Sequence, residues 1–182
     1  QTRANFKISS MLKLIKNSWL HLKKVIIHKY YVAKYCFKVG LVWQGITHDL
    51  SKFSPTEFFE SVKYYVGTSS PINACKKDKG YSMAWFHHRG RNYHHYEMWI
   101  DNFDSGGVAL EMPKKYAYEM VCDYIGAAKA YMGEKFTWKK ELEWWNIKKQ
   151  TAKMHDNIKT FISAVFETMA VYEQFNPGKA DK

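Results

Sequence analysis

Apolar residues recur along this chain at helical rather than strand spacing. Between Met11 and Val39 they alternate with helix-tolerant lysines, Ser9 or Ser10 offers an N-cap and Gly40 a stop, so one long helix is predicted there. Ser54-Pro55-Thr56-Glu57 is the clearest start signal: Ser54 caps, Pro55 suits the first helical position and Glu57 completes a capping box. That helix runs through Phe58, Phe59, Val62 and Tyr65 to Gly67, and Ser70-Pro71 opens a short one ending before Gly80. Tyr81 to His88 reads as helix, broken at Gly90-Arg91-Asn92 and resuming from His94, with Asp104-Ser105-Gly106-Gly107 as a loop. Pro113 starts a helix that continues through Tyr116, Met120, Asp123 and Ala127 to Gly133. Thr137 caps the next, through Trp144 and Trp145. Asp156 caps the last, whose Ile158, Phe161, Ile162, Val165, Phe166 and Met169 form an apolar stripe. Strand alternation is almost absent, so the predicted class is all-α, a single domain with its core over about residues 11–175.

Composition narrows this picture. With 182 residues, 46% of them apolar and 17% aromatic, the chain can bury a sizeable core. Cys36, Cys75 and Cys122 have no CxxC spacing and cannot all pair, which points to a reducing compartment. No segment approaches the roughly 20 apolar residues of a membrane span, and the N-terminal stretch lacks a secretory cleavage pattern. The expectation is a cytoplasmic protein with no membrane partner. A net charge of +11 implies attraction to anions: nucleotides, phosphorylated small molecules or nucleic acid. Spread over Lys13, Lys16, Lys23, Lys24, Lys114, Lys115, Lys139 and Lys140, it reads equally as a solvated basic face.

The chemistry concentrates on His48-Asp49. Adjacent imidazole and carboxylate groups can reach one divalent ion, but the pair alone is weak: His155-Asp156 repeats it immediately before an apolar stripe, where Asp156 is a cap. What separates the first pair is company. His87-His88 and His94-His95 flank a Gly90-Asn92 interruption, and His21 and His28 lie on one face of the first helix. Asp123 sits among Val121, Cys122, Tyr124 and Ile125, where a carboxylate is costly to bury unless it is paired, hydrogen-bonded or ligating. His87 and His94, seven residues apart, stand about 10 Å apart on an unbroken helix and could not share an ion; the interruption relaxes that limit, and two ions would accommodate six or seven ligands. Glu97 and Asp101 could brace ligating imidazoles. Arg89, Arg91 and Asn92 suit phosphate, which guanidinium grips bidentately. His21 and the tryptophans, Trp85 and Trp99 among them, are assigned to structure.

The run His28-Lys29-Tyr30-Tyr31-Val32-Ala33-Lys34-Tyr35, then Gly40, then His48-Asp49-Leu50-Ser51-Lys52, resembles the opening of the HD superfamily of metal-dependent phosphohydrolases. The resemblance implies a compact HD-like helical bundle with a metal site between helices. It carries the ligand roles onto His28, His48, Asp49 and Asp123, and places Lys52 near substrate phosphate. In binuclear members two further histidines join, here one of His87/His88 and one of His94/His95. The stretch His-His-x-Gly-Arg-Asn-x-His-His-Tyr-Glu-x-Trp is also similar to an uncharacterised HD-like family of phages and gut bacteria.

The expected function is hydrolysis of a phosphate ester of a nucleotide or related small molecule, with one or two divalent ions (Mn, Fe, Zn, Ni or Mg). Asp49 and Lys52 would act at the reacting centre, and Lys52, Arg89, Arg91 and Asn92 would bind substrate. Two alternatives use the same residues: a di-iron oxygenase of HD fold, and a basic nucleotide- or nucleic-acid-binding module without catalysis.

Overall fold

Gly126 decides how closely the two central helices approach. A Cβ at this position would lie 2.4 Å from Val32 Cγ2 and 3.1 Å from the Val32 backbone nitrogen, so only glycine lets these backbones meet. The helices are α1 (Thr2–Lys38) and α6 (Lys114–Met132), in a computed structural model that describes residues 2–177 and 179. Around them lie α2 (Val42–Thr47), α3 (Pro55–Lys63), α4 (Pro71–Lys79), α5 (Met83–Arg89), α7 (Trp138–Thr151) and α8 (Asp156–Phe175). The architecture is an all-α bundle, as its periodicity predicts.

The core joins α1, α6, α7 and α8. Val32, Cys36, Met120, Ile125, Trp138, Trp145, Ile162 and Phe166 are all at most 3% exposed. The stripe predicted for the last helix divides: Ile158, Ile162 and Phe166 are buried, while Phe161, Val165 and Met169 pack partly buried against them. Trp145 also donates its indole N–H to Ser163 Oγ at 2.9 Å, so the ring is buried without stranding a donor. α3 packs against α1 and α5 packs against α3, which brings the histidine-rich segment beside α1.

Four local expectations are corrected. The chain beyond His94 does not resume an α-helix: Tyr96–Trp99 form a 3-10 turn, followed by a two-strand hairpin, β1 (Ile100–Asp101) with β2 (Val108–Ala109), Ile100 opposite Ala109. Asn102, Gly106 and Gly107 at positive φ turn the chain back, a conformation that no helix contains. α2 is a short helix that periodicity did not reveal, too brief for a 3.6-residue pattern to register. The last helix is capped by His155, whose Nδ1 accepts the Asn157 N–H at 3.3 Å, and Asp156 is its first residue. Ser54 caps α3 as predicted, but Glu57 does not close a capping box, because its carboxylate is engaged by His87 and His88.

No helix among the described residues is long and apolar enough to cross a membrane.

Candidate metal centre

The turn after α2 places His48 and Asp49 side by side and inward. Asp49 lies in the left-handed region at φ 55° and ψ 28°, so the chain reverses direction at that residue. Aspartate is among the few non-glycine residues that visit this region readily. Lys29 of α1 holds the turn by donating from Nζ to Ile46 O and His48 O, both at 2.7 Å. A cation there also complements the carbonyl end of α2.

Three elements then converge on Asp49. His28 from α1 and Asp123 from α6 meet across the Gly126 contact, with Nε2 and Oδ1 3.1 Å apart. His28 Nε2 and His48 Nε2 lie 3.3 and 3.2 Å from Asp49 Oδ2, and His48 Nε2 lies 3.3 Å from Asp123 Oδ1. On the other side of the same carboxylate, His88 Nε2 and His94 Nε2 stand 3.3 and 3.5 Å from Oδ1. His28, His48, Asp49 and Asp123 each offer an atom to one group whose members lie within 4.8 Å of one another; Asp49, His88, His94 and His95 do the same for a second, and every residue in both is buried. Asp49 belongs to both groups.

The donor set fits cations. Two ligands held about 2.0–2.2 Å from one ion lie roughly 3.0–3.5 Å apart, and these contacts fall in that range. Protonation states lead to the same conclusion. Glu119 Oε1 sits 3.0 Å from His48 Nδ1 and 3.2 Å from His94 Nδ1, and an ionised carboxylate only accepts, so both Nδ1 atoms carry protons. In the neutral form that can ligate a metal, such a ring turns its Nε2 lone pair towards the carboxylate lone pairs. His48 Nε2, His94 Nε2, His95 Nε2 and Asp49 Oδ1 are all buried without a hydrogen-bond partner. Such groups are expensive to leave unpaired. A positive charge at the point of convergence answers all of them together.

The electrostatics record the same demand. Burial alone would push the Asp49 and Asp123 carboxyls up, yet both are held well below the ordinary range. His48, Lys52 and His88 do this for Asp49, and His28 and His48 for Asp123. Burial would lower His48, but Asp49, Asp123 and Glu119 raise it well above its usual value. His95 goes the other way: burial, then the neighbouring His94 and His88, keep it neutral, the form that can ligate. Lys52 donates from Nζ to Asp49 Oδ2 and is raised, against its own burial, by Asp49 and Asp123.

Two glutamates that the sequence did not flag brace the histidines. Glu119 joins His48 to His94 and lies one turn before Asp123, on the same face of α6. A group of His48, His94 and Glu119 also has ligand-like proximity, but its two Nδ1–H···O contacts are ordinary hydrogen bonds, so Glu119 orients ligands rather than serving as one. Glu57 takes the His88 Nδ1–H at 2.8 Å and pairs with His87 Nδ1 at 2.6 Å. Glu97 and Asp101, the sequence's candidates for this role, are replaced by Glu57 and Glu119. The signal for Glu119 was its position four residues before Asp123 in an otherwise apolar stretch.

Of the other candidates, His87 belongs to neither four-residue group; its contact is Glu57. Asn92 donates to Ser51 Oγ at 3.0 Å and to His88 O at 2.7 Å, tying the turn after α5 to the one after Asp49. Arg89 stacks on Phe86 at 5.4 Å and Arg91 is exposed, donating to His87 O. Beside these residues opens a cavity of about 170 Å³, whose lining includes His28, Lys52, His88, His95 and Asp123 as well as His21, Trp85 and Tyr131. Arg89, Arg91 and Asn92 do not line it.

A protein-family comparison covers the whole of this constellation: a family of unknown function, DUF5662, matches residues 17–168. The chain belongs to that family. Every candidate ligand and brace named above, from His28 to Asp123, falls inside the matched range. Neither the curated proteins nor the solved structures give a match.

Proposed function

We propose that this chain is a metal-dependent hydrolase of phosphate esters, in which the two residue groups that share Asp49 would each hold a divalent ion. The observation that carries the reading is the division of that carboxylate: Oδ2 faces His28 and His48, and Oδ1 faces His88 and His94. His28, His48 and Asp123 complete one ligand set, and His88, His94 and His95 the other. The resemblance of His28, His48-Asp49 and Lys52 to the HD superfamily points the same way.

Divalent ions, when bound, supply Lewis acidity to a phosphoryl group and bring the pKa of water towards neutrality. The residues do the rest. Glu119 and Glu57 fix the histidine tautomers, so the Nε2 lone pairs face inward. Lys52, kept cationic by Asp49 and Asp123, stands at the cavity wall, where charge develops on phosphoryl oxygens. In the net reaction a water oxygen bonds to phosphorus, the P–O ester bond breaks, and the water proton leaves with the released alcohol.

Five imidazoles against two carboxylates favour Mn, Fe, Zn or Ni over Mg, which prefers oxygen ligands. That nitrogen-rich set also suits a second reading, a di-iron oxygenase. Purified protein loaded separately with Mn, Zn and Fe separates them. Hydrolysis of a generic aryl phosphate that requires added metal and disappears in Asp49→Ala supports the proposal. An iron-dependent, O₂-responsive absorption with no phosphatase activity under any metal supports the oxygenase and refutes the hydrolase.

A further inference from the structure

The cavity extends well past the ligands, and its far end is built from α1 itself. His28, Val25 and His21 follow one another along a single helix face, and all three line the cavity. Seven residues of helix set His21 roughly 10 Å from His28 along the axis. His21 is 7% exposed, its ring against Phe58 and Tyr65 at 5.4 and 5.9 Å, and its Nδ1 is buried with no hydrogen-bond partner. With Nδ1 closed off, the rest of the ring is what a molecule in the cavity meets. Between the two histidines the walls are mostly apolar, with Val25, Ile72, Trp85 and Ala127.

Size limits what can enter. A cavity of about 150 Å³ takes a molecule the size of benzene, whereas drug-sized ligands occupy roughly 300–1,000 Å³. At about 170 Å³ this space holds a compact molecule and not a whole nucleotide. Lys24 and Lys52 on the wall oppose an ammonium group, since of the carboxylates there Asp123 faces His28 and His48, and Glu57 is engaged by His87 and His88. Burial and Lys52 push His21 down to about 4, so its ring is neutral and attracts no second anion. A hydroxyl meets these conditions, because it can donate to or accept from either tautomer.

We propose that the cavity selects the phosphate monoester of a short hydroxylated alcohol, the phosphate at Lys52 and the ligand cage and a hydroxyl on the His21 ring. The proposal rests on the hydrolase reading above.

The test uses the full metal-loaded chain with glycerol phosphate, propyl phosphate and adenosine monophosphate. Glycerol phosphate is expected to have a kcat/KM at least about tenfold above both others, since a site built around a hydroxyl rejects analogues lacking it. His21→Phe should erase the preference for glycerol over propyl phosphate through KM, with bound metal per chain as in the parent. His21→Gln, which keeps a hydrogen-bonding group, should retain part of it and stands in if the Phe variant misfolds. Equal turnover of adenosine monophosphate, or an intact glycerol preference in both variants, overturns the proposal. If no ester is hydrolysed, the hydrolase reading fails separately. Calorimetry of glycerol and propyl phosphate on the metal-loaded chain then decides: tighter glycerol phosphate binding, lost in His21→Phe, upholds the cavity assignment, and equal or absent binding overturns it.

Discussion

Asp49 draws its role from where its two oxygens point, and those directions depend on neighbours that never touch an ion. Glu119 holds two ligand rings with one oxygen. Glu119→Gln keeps the shape but loses the charge that fixes both tautomers, so metal affinity is expected to fall about 10–100-fold with helicity unchanged, as metal titration and circular dichroism would show. Unchanged affinity would mean the rings are held by packing alone. His28, His48 and Asp49 were legible through their resemblance to the HD superfamily pattern, and Asp123 also because a carboxylate amid apolar residues is conspicuous. Glu119 and Glu57 were not, since helical glutamate is ordinary and Glu57 satisfied a capping pattern that explained it without the site. Glu141 is a separate case, buried in α7 and pushed by burial from 4.5 up to about 8. The folded state therefore binds its proton more tightly than the unfolded chain. Its contribution is fully present below pH 4.5 and is lost as pH rises through 8. Glu141→Gln should flatten that part of the stability profile and raise the melting temperature by a few degrees at pH 8; a parallel profile would contradict the assignment.

Among the elements, the α1–α6 contact sets the spacing between His28 and Asp123. Gly126→Ala gains about 1 kcal/mol of helix propensity. Its Cβ would sit 2.4 Å from Val32 Cγ2 and 3.1 Å from backbone that cannot rotate away. Overpacking of that kind costs about 1–3 kcal/mol and wins. The variant should melt lower, and it should also bind metal more weakly because the two ligands part. A stabilised variant with intact metal binding would show that the helices can shift independently of the site. The long helices were legible from periodicity and caps. The hairpin, α2 and the reversal at Asp49 were not, because each is set by positive-φ residues or by tertiary contact rather than by a repeating pattern. Lys29, which anchors that reversal, looks in sequence like any solvated helix lysine.

Across the whole molecule, basic surface and buried cage are distinct features. Lys13, Lys16, Lys23, Lys114, Lys115, Lys139 and Lys140 are exposed, while Lys52 and Lys24 face the cavity. The excess charge of +11 thus surrounds a small site rather than forming it. The histidine-rich segment crosses from α5 to the hairpin and meets both Asp49 and α6, which is how His28 and His94, 66 positions apart, come to share one carboxylate. Whether both residue groups that share Asp49 hold an ion is tested most directly by anomalous diffraction from crystals grown with manganese. Two peaks, one among His28, His48 and Asp123 and the other among His88, His94 and His95, with Asp49 between them, are expected. A single peak, peaks elsewhere, or none would contradict the proposal.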